Sequence, residues 1–154
     1  MSSEATVQLA KIGPWQFDMP DGWQGKGSES ADYFEEPGGA KGLYVKSIVL
    51  SHPKDSPQAL AEYVQGVHLR SFNELRGSEW VVMKRTDQEQ DGIVRSVLDI
   101  YDVQASYRVL SFVVCGNQQA IQISVHDYAC IDYSSTCNQF APLAASIHNT
   151  QPMI

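Results

Sequence analysis

Basic residues and long apolar runs are scarce in this sequence. Of its 154 residues, 11 are lysine or arginine and 18 are aspartate or glutamate, so the formal net charge at pH 7 is -7. Because nucleic acids and anionic membranes repel an acidic surface, this charge disfavours both as partners and favours a basic protein. No apolar run approaches the ~20 residues that a membrane-spanning helix requires. We therefore expect neither a nucleic acid nor a membrane among the partners.

Cysteine is also rare, and its count is odd. Three cysteines are typical of free thiols in a reducing compartment rather than of a disulfide framework. Cys130 and Cys137 are close enough in sequence to pair, and the sequence leaves that pairing open. Residues 1–7 have neither the basic segment nor the apolar segment of a secretory signal peptide. These absences predict a cytoplasmic protein.

The motifs of phosphate loops and zinc sites are missing as well. The glycine-rich stretch 37–42 lacks the Gly-Lys-Ser/Thr ending and the following helix of a phosphate loop, so it predicts a hairpin turn. His126, Cys130, Cys137 and His148 carry side chains that bind metals, but their spacing fits no common zinc site. We expect no metal and no cofactor.

No catalytic site is readable from the sequence either. Ser124 and His126 suggest a hydrolase, but they lie two residues apart on one predicted strand, about 6.5 Å, whereas proton transfer needs ~3 Å. Asp127 points to the opposite face of that strand, and there is no Gly-x-Ser-x-Gly motif. His68 is predicted to be a half-buried residue of a helix rather than a general base. We therefore predict that the chain is not an enzyme.

What the sequence does contain is a series of strand patterns. Short polar turns separate predicted strands at 80–84, 93–103, 107–115 and 120–127. The third is apolar on both faces, as a central strand covered on both sides must be. The fourth alternates, with Ile121, Ile123 and Val125 on one face and polar residues on the other. One face of the sheet is thus predicted to be fully covered and the other only partly.

Helical patterns flank these strands. Ser56 is the predicted N-cap, and Pro57 the first residue, of an amphipathic helix over 57–75 whose apolar residues recur every three to four positions. A second helical pattern begins at Tyr133, and Pro142 is expected to kink that helix or to start another.

The same patterns extend to the first third of the chain and define the fold class. A strand is predicted over 15–19, and a hairpin is predicted from 33–35 and 43–50. The predicted class is α+β, an antiparallel meander sheet flanked by helices. It is an incomplete three-layer α/β/α sandwich that forms a single domain over residues 1–154.

The order of these elements and one short motif resemble a known family. The segment Phe17-Asp18-Met19-Pro20-Asp21-Gly22-Trp23 is similar to the Phe-x-x-Pro-x-Gly-Trp opening of the PsbP/DcrB-like fold family. That family includes photosystem accessory subunits, a Ran-binding nuclear transport factor and bacterial adaptors of type VI secretion systems, and its members bind without catalysis. The resemblance spans nearly the whole chain and implies a sheet sandwiched by helices in a protein-binding protein.

The predicted function is therefore binding of another protein without catalysis. The sharper prediction is a bacterial immunity or adaptor protein that binds a secreted toxin or effector, as a monomer or homodimer. Long-range attraction to a basic partner would raise its association rate, which suits the acidic charge. The alternative is a small-molecule-binding or enzymatic role in a pocket between the sheet and the helix. A pocket with His68 or His126 beside a carboxylate would favour this alternative.

The predicted partner-binding residues form two groups. Those on strands share side-chain parity within each strand and are predicted to form a polar patch on the less covered face: Arg95, Asp99, Gln122, Ser124 and His126. An ordinary solvated sheet face is the alternative interpretation. Reversing Asp99 to lysine is expected to weaken partner binding while leaving stability nearly intact. The second group is the acidic hairpin with Glu35 and Glu36.

Overall fold

The strands of this chain form two antiparallel sheets. The computed structural model describes residues 7–25, 32–74 and 80–151. The smaller sheet consists of β1 (Val7–Ile12), β2 (Trp15–Pro20) and β10 (His148–Asn149), with β2 in the middle. The larger sheet consists of β3 (Gln24–Gly25), β4 (Asp32–Glu35), β5 (Lys41–Val49), β6 (Trp80–Gln90), β7 (Ile93–Asp102), β8 (Tyr107–Cys115) and β9 (Gln119–Asp127). Its spatial order is β3-β4-β5-β9-β8-β7-β6.

The second half of the chain folds as the predicted meander. β8 lies between β7 and β9, and all but its first residue is buried, as its two apolar faces predicted. The β6–β7 hairpin turns at Asp91 and Gly92, both with positive φ (54° and 78°), as a two-residue type I′ turn requires. β6 runs to Gln90, beyond the predicted end at 84. The sequence pattern missed this extension because the edge strand is exposed and has no simple apolar alternation.

Two helices, α1 (Pro57–Asn73) and α2 (Tyr133–Ser146), complete the fold. The start of α1 is the predicted one, since the Ser56 hydroxyl accepts a hydrogen bond from the Ala59 amide at 3.1 Å. Leu75, the last residue of the predicted helix, lies outside the described residues. Within the described ranges, neither helix is long and apolar enough to cross a membrane.

Pro142 lies inside α2, which continues to Ser146, so of the two predicted alternatives, a kink or a new helix, no second helix starts there. Phe140 and Leu143, on either side of the proline, are both buried in the core. Their packing holds the helical turn around the proline, even though the ring removes one backbone donor.

The two helices lie on opposite faces of the larger sheet, which we call the α1 face and the α2 face. The α2 face packs against the smaller sheet and α2, in a core that includes Phe17, Phe112 and Phe140. On the α1 face, Leu60 packs in a separate cluster with Val113 of β8. The predicted α+β class, a sheet between helices, is confirmed.

Candidate functional site

A cleft of about 550 Å³ opens on the α1 face, between α1 and the part of the sheet formed by β5 and β9. We call it the α1 cleft. Its apolar lining includes Tyr44, Ile48, Leu50, Tyr63, Val64 and Val67. Its polar lining consists of Lys46, His68, Ser71, Gln122, Ser124 and His126.

The α1 cleft exists because α1 covers only part of its face of the sheet. The helix packs mainly against β7 and β8. Its buried Gln65 fixes this position, because the side-chain amide donates to Ser96 Oγ at 3.2 Å and to the Ser111 carbonyl at 2.9 Å. β5 and β9 extend past the helix. Their α1-face side chains therefore form one wall of the cleft, and α1 forms the other.

The walls of the cleft carry exposed apolar side chains. Val67 on α1 is 41% exposed, Tyr63 is 50% exposed, and Tyr44 on β5 is 39% exposed. Exposed apolar side chains that line one concave surface are typical of binding sites, whereas single exposed ones are ordinary. The cleft therefore has the apolar walls of a ligand-binding or partner-binding site.

The floor of the cleft is polar and is organised around His126. Its Nδ1 lies 2.5 Å from Tyr107 Oη, and its Nε2 lies 3.1 Å from Ser124 Oγ. Burial, and to a smaller extent the nearby His68, lower the pKa of His126 to about 3, so the imidazole is neutral at physiological pH. A neutral imidazole has one donor and one acceptor nitrogen, and here each of them has a hydrogen-bonding neighbour.

His68 lies on the helical wall of the same cleft. Its pKa is lowered to about 4, first by burial and then by the positive charge of Lys46. The ring packs edge-on against Phe72, with centroids 4.9 Å apart. Within the described ranges its Nε2 is buried without a hydrogen-bond partner. A buried polar atom without a partner is unfavourable, so a bound group that pairs with Nε2 would be stabilised there.

Ser124 and His126 are closer than the sequence predicted. The expected separation of about 6.5 Å is that of two backbone positions on one strand, whereas their side chains lean together to 3.1 Å. The pair is nevertheless poorly suited to nucleophilic catalysis. Burial raises the pKa of Tyr107 well above its ordinary value, so its hydroxyl stays protonated and can donate to Nδ1 of His126. Nε2 then carries the proton and donates to Ser124, the reverse of what a general base requires.

The strand around Ser124 offers little else to a catalytic serine. β9 is paired along its length with β5 on one side and β8 on the other, so its amides belong to the sheet. None of the described residues that line the cleft is a carboxylate. An imidazolium formed on His126 would therefore have no anionic neighbour there, unlike the histidine of a serine-histidine-aspartate triad.

Four tyrosines cluster with His126, three of them in direct ring contact with it, and the sequence did not reveal this cluster. They are Tyr33, Tyr44, Tyr107 and Tyr128, whose rings form a chain of contacts with centroids 4.5 to 6.1 Å apart. Gly42 makes room for them, because a Cβ at that position would lie 2.8 Å from both the Tyr33 and Tyr128 hydroxyls. Tyr33 lies directly opposite Tyr44 in the register of β4 and β5. A prediction of that register would have revealed part of the cluster.

The predicted polar patch is divided between the two faces of the sheet, so the prediction of one shared surface is wrong. Gln122, Ser124 and His126 lie in the α1 cleft and are buried. Arg95 and Asp99 lie on the α2 face. Arg95 donates to the Ile147 carbonyl at 2.7 Å and to the Ala144 carbonyl at 3.4 Å.

Asp99 is fully buried and is already paired within the protein. Arg108 donates to both of its carboxylate oxygens, at 2.8 and 2.7 Å, and the Tyr133 hydroxyl donates to Oδ2 at 2.5 Å. The Arg108 guanidinium stacks on the Tyr133 ring. The expectation that Asp99 can be reversed to lysine with little loss of stability is therefore incompatible with its surroundings.

The second predicted group, Glu35 and Glu36, lies at the β4–β5 turn. Glu36 forms an ion pair with Lys41 at 3.7 Å. Both glutamates line a separate cavity of about 190 Å³ with Gln24 and Pro37. A role for this hairpin in partner binding stays a prediction.

The four candidate metal ligands do not come together. His126 contacts Tyr107, while Cys130 lies 3.9 Å from Thr136 Oγ1 and the exposed His148 contacts the Ser146 carbonyl. No group of three or more metal-binding side chains occurs in the described part of the chain. Cys115, Cys130 and Cys137 are free thiols.

Comparisons with known proteins identify the fold. No known family matches the sequence, and no curated protein matches it. The solution structure of the cyanobacterial PsbP protein CyanoP from Synechocystis sp. PCC 6803 is similar, with a TM-score of 0.66 and 17% sequence identity over 96% of this chain and 94% of that chain. A Pseudomonas aeruginosa protein of unknown function has a TM-score of 0.48 and 17% identity, over 88% and 89% of the two chains. The likeness to CyanoP confirms the predicted PsbP-like fold.

Proposed function

We propose that this chain is a non-catalytic binding protein and that the α1 cleft is its binding site. The observation that carries the proposal is an open cleft of about 550 Å³ with apolar walls and a polar floor. Ligand pockets usually measure about 300–1,000 Å³ and combine an apolar lining with a few fixed polar groups. The sequence left two places for the site, a polar sheet face or a pocket between the sheet and the helix. The position of the α1 cleft supports the second.

The chemistry of the polar floor supports binding rather than catalysis. A pocket with His68 or His126 beside a carboxylate would have favoured an enzyme. Both histidines line the cleft, but its described lining residues include no carboxylate, and burial keeps both imidazoles neutral. Neutral imidazoles and hydroxyls suit hydrogen bonding to a bound group better than proton transfer at neutral pH.

A protein partner at this site would have to insert apolar side chains between Tyr44 and Val67. The net charge of -7 would attract a basic toxin or effector, and the Glu35-Glu36 hairpin would meet its basic patch. The role of a cytoplasmic immunity or adaptor protein in type VI secretion rests on the family resemblance and on this charge. It stays the sharper form of the proposal, in which the bound partner is a protein.

A fragment screen by NMR tests the binding site without assuming a ligand. We expect saturable hits to shift the amides of lining residues such as Lys46, Val67 and Ser124. The variant Val67→Trp, which fills the cleft from α1, should lose these hits. Glu62→Trp adds the same ring at an exposed position of α1 outside the lining and should keep them. Hits that cluster elsewhere, or that survive Val67→Trp, would overturn the proposal.

A further inference from the structure

The α1 cleft is a basic site on an acidic protein. Lys46 of β5 lines it, and Lys54 lies at its Tyr63 wall, with Nζ 4.4 Å from the centre of that ring. The described lining residues include no aspartate or glutamate. Because the chain as a whole carries a net charge of -7, this local excess of positive charge sets the cleft apart from the average surface.

The two lysines of β5 differ in their ion pairing. Lys41 pairs with Glu36 at 3.7 Å. For Lys46, no carboxylate within ion-pair distance is found among the described residues. Its side chain faces the cleft, opposite Gln122 in the register of β5 and β9. A carboxylate bound in the cleft would give Lys46 the ion pair that Lys41 already has.

A second group beside Lys46 can recognise the same carboxylate. His68 is close enough to Lys46 that the lysine charge lowers the histidine pKa. Its buried Nε2 has no partner within the described ranges. In the tautomer with hydrogen on Nε2, this atom donates to an anion without carrying charge itself. Charge from Lys46 and a hydrogen bond from His68 therefore converge on one part of the cleft.

The size of the cleft favours a small molecule over a helical peptide. Two turns of an α-helix about 10 Å across already occupy roughly 850 Å³. The cleft holds about 550 Å³, which suits a single chain or ring system of ten to twenty heavy atoms, on the order of a drug-sized ligand. Val64 and Val67 on the helix and Ile48 on the sheet supply its apolar contacts.

We infer that the α1 cleft binds a small organic anion with an apolar body, a fatty or aromatic carboxylate, whose acidic group pairs with Lys46 and accepts a hydrogen bond from His68. The inference rests on the proposed function, since it names the ligand class of the same cleft. The apolar body lies between α1 and the sheet, where it covers Val67 and Tyr44.

Calorimetric titration with three probes of equal chain length tests the ligand class. Decanoate is the anion, 1-decanol the neutral control and decylamine the cation; the two ions are used below their micelle concentrations and the alcohol below its aqueous solubility. We expect decanoate to bind at one site per chain and at least tenfold more tightly than the other two. Lys46→Met should weaken decanoate by about tenfold and leave 1-decanol unchanged, since the stem is kept and the charge removed. Lys41→Met, outside the cleft, should leave decanoate unchanged.

The possible outcomes separate this inference from the proposed function. Equal affinity for the three probes, together with loss of all three in Val67→Trp, would overturn the anion and keep the cleft as a binding site. Decanoate binding that is unaffected by both Lys46→Met and Val67→Trp would place the site elsewhere and overturn both. Failure of decanoate to bind at any concentration below its micelle threshold would overturn the anionic ligand class, and the fragment screen would still decide the cleft.

Discussion

Buried polar residues on the two faces of the larger sheet differ in whether they are paired within the protein. On the α2 face, Asp99 and Arg108 are buried but fully paired, and the smaller sheet and α2 seal the apolar core around them. On the α1 face, His68 keeps an unpartnered nitrogen, and Lys46 faces an open cleft. A polar residue on a strand is thus no sign of a site by itself. What marks the cleft is that, among the described residues, His68 Nε2 has no hydrogen-bond partner and Lys46 has no ion pair.

The largest expected effect on stability comes from breaking the buried ion pair of the α2 face. Asp99→Lys places a second cation beside the buried Arg108 and should lower the free energy of unfolding by about 5 kcal/mol, the upper end for a broken buried ion pair. Urea unfolding followed by circular dichroism measures this loss. Glu89→Lys, a charge reversal at an exposed position of β6, should change stability by less than ~0.5 kcal/mol. Similar losses in the two variants would mean that Asp99 is not in a sealed environment.

The second-largest effect should come from truncating apolar side chains, which should cost more stability on the α2 face than in the cleft. Phe112 lies in the α2-face core, so Phe112→Ala should cost about 3–5 kcal/mol of unfolding free energy. Val67 is 41% exposed in the cleft, so Val67→Ala should cost less than ~1 kcal/mol. The same urea titrations give both values. A loss below about 1 kcal/mol for Phe112→Ala would remove β8 from the core.

Acid should lower the free energy of unfolding through the two buried histidines of the α1 face. The unfolded chain protonates each histidine near pH 6.5, whereas the folded pKa is about 4 for His68 and about 3 for His126. Below pH 6.5 the unfolded state therefore binds protons that the folded state does not. The stabilisation is complete above pH 6.5 and falls as the pH is lowered toward 4. Between pH 7 and pH 5 each histidine should contribute a loss of roughly 1–2 kcal/mol.

Chemical unfolding at pH 7 and at pH 5 measures this dependence. His68→Gln should reduce the difference between the two pH values, because one titrating group is removed from the cleft. His52→Gln, at an exposed position ahead of α1, should leave the difference unchanged. Equal pH dependence in all three proteins would show that His68 is not buried as described.

The smallest expected effect is none, and it concerns catalysis. Ser124→Ala removes the hydroxyl beside His126 and should leave the hydrolysis of p-nitrophenyl acetate at the rate of the unaltered protein. The tautomer with hydrogen on Nε2 leaves the serine without a general base, which is the reason for this expectation. Stopped-flow measurement of p-nitrophenol release gives the rate. A burst of product that disappears in Ser124→Ala would contradict the non-catalytic proposal.

Sequence patterns located most of the individual elements on both faces. β8 was found because it is apolar on both sides, and α1 because Ser56 and Pro57 mark its start. The smaller sheet was harder to predict. Only β2 was found, since Val7 and Leu9 of β1 are exposed and β10 has two residues. β1 pairs with β2 in a local hairpin but lacks an apolar alternation, and β10 is defined by pairing with β2 more than 120 residues away, which local alternation does not encode.

Only three of the five predicted strand residues, Gln122, Ser124 and His126, lie in the candidate site, because strand register is also not encoded by local alternation. Alternation within a strand fixes which residues share a face, but it does not fix which face that is relative to another strand. Val97 lies opposite Phe112, and Phe112 lies opposite Ile123, so the register places Arg95 and Asp99 on the α2 face. Gln122 and Ser124, with the opposite parity to Ile123, then face α1. Lys46 needed the same register to be recognised as part of the cleft.

The contacts of β7 with α2 have a consequence for how the molecule opens. Asp99 binds Tyr133 at the first residue of α2, and Arg95 binds carbonyl groups at its other end, including that of Ile147. One strand thus anchors both ends of the helix, so α2 has no loose end from which to fray. Its amides should exchange with solvent hydrogen in one cooperative event, at a rate set by the release of the whole helix from β7.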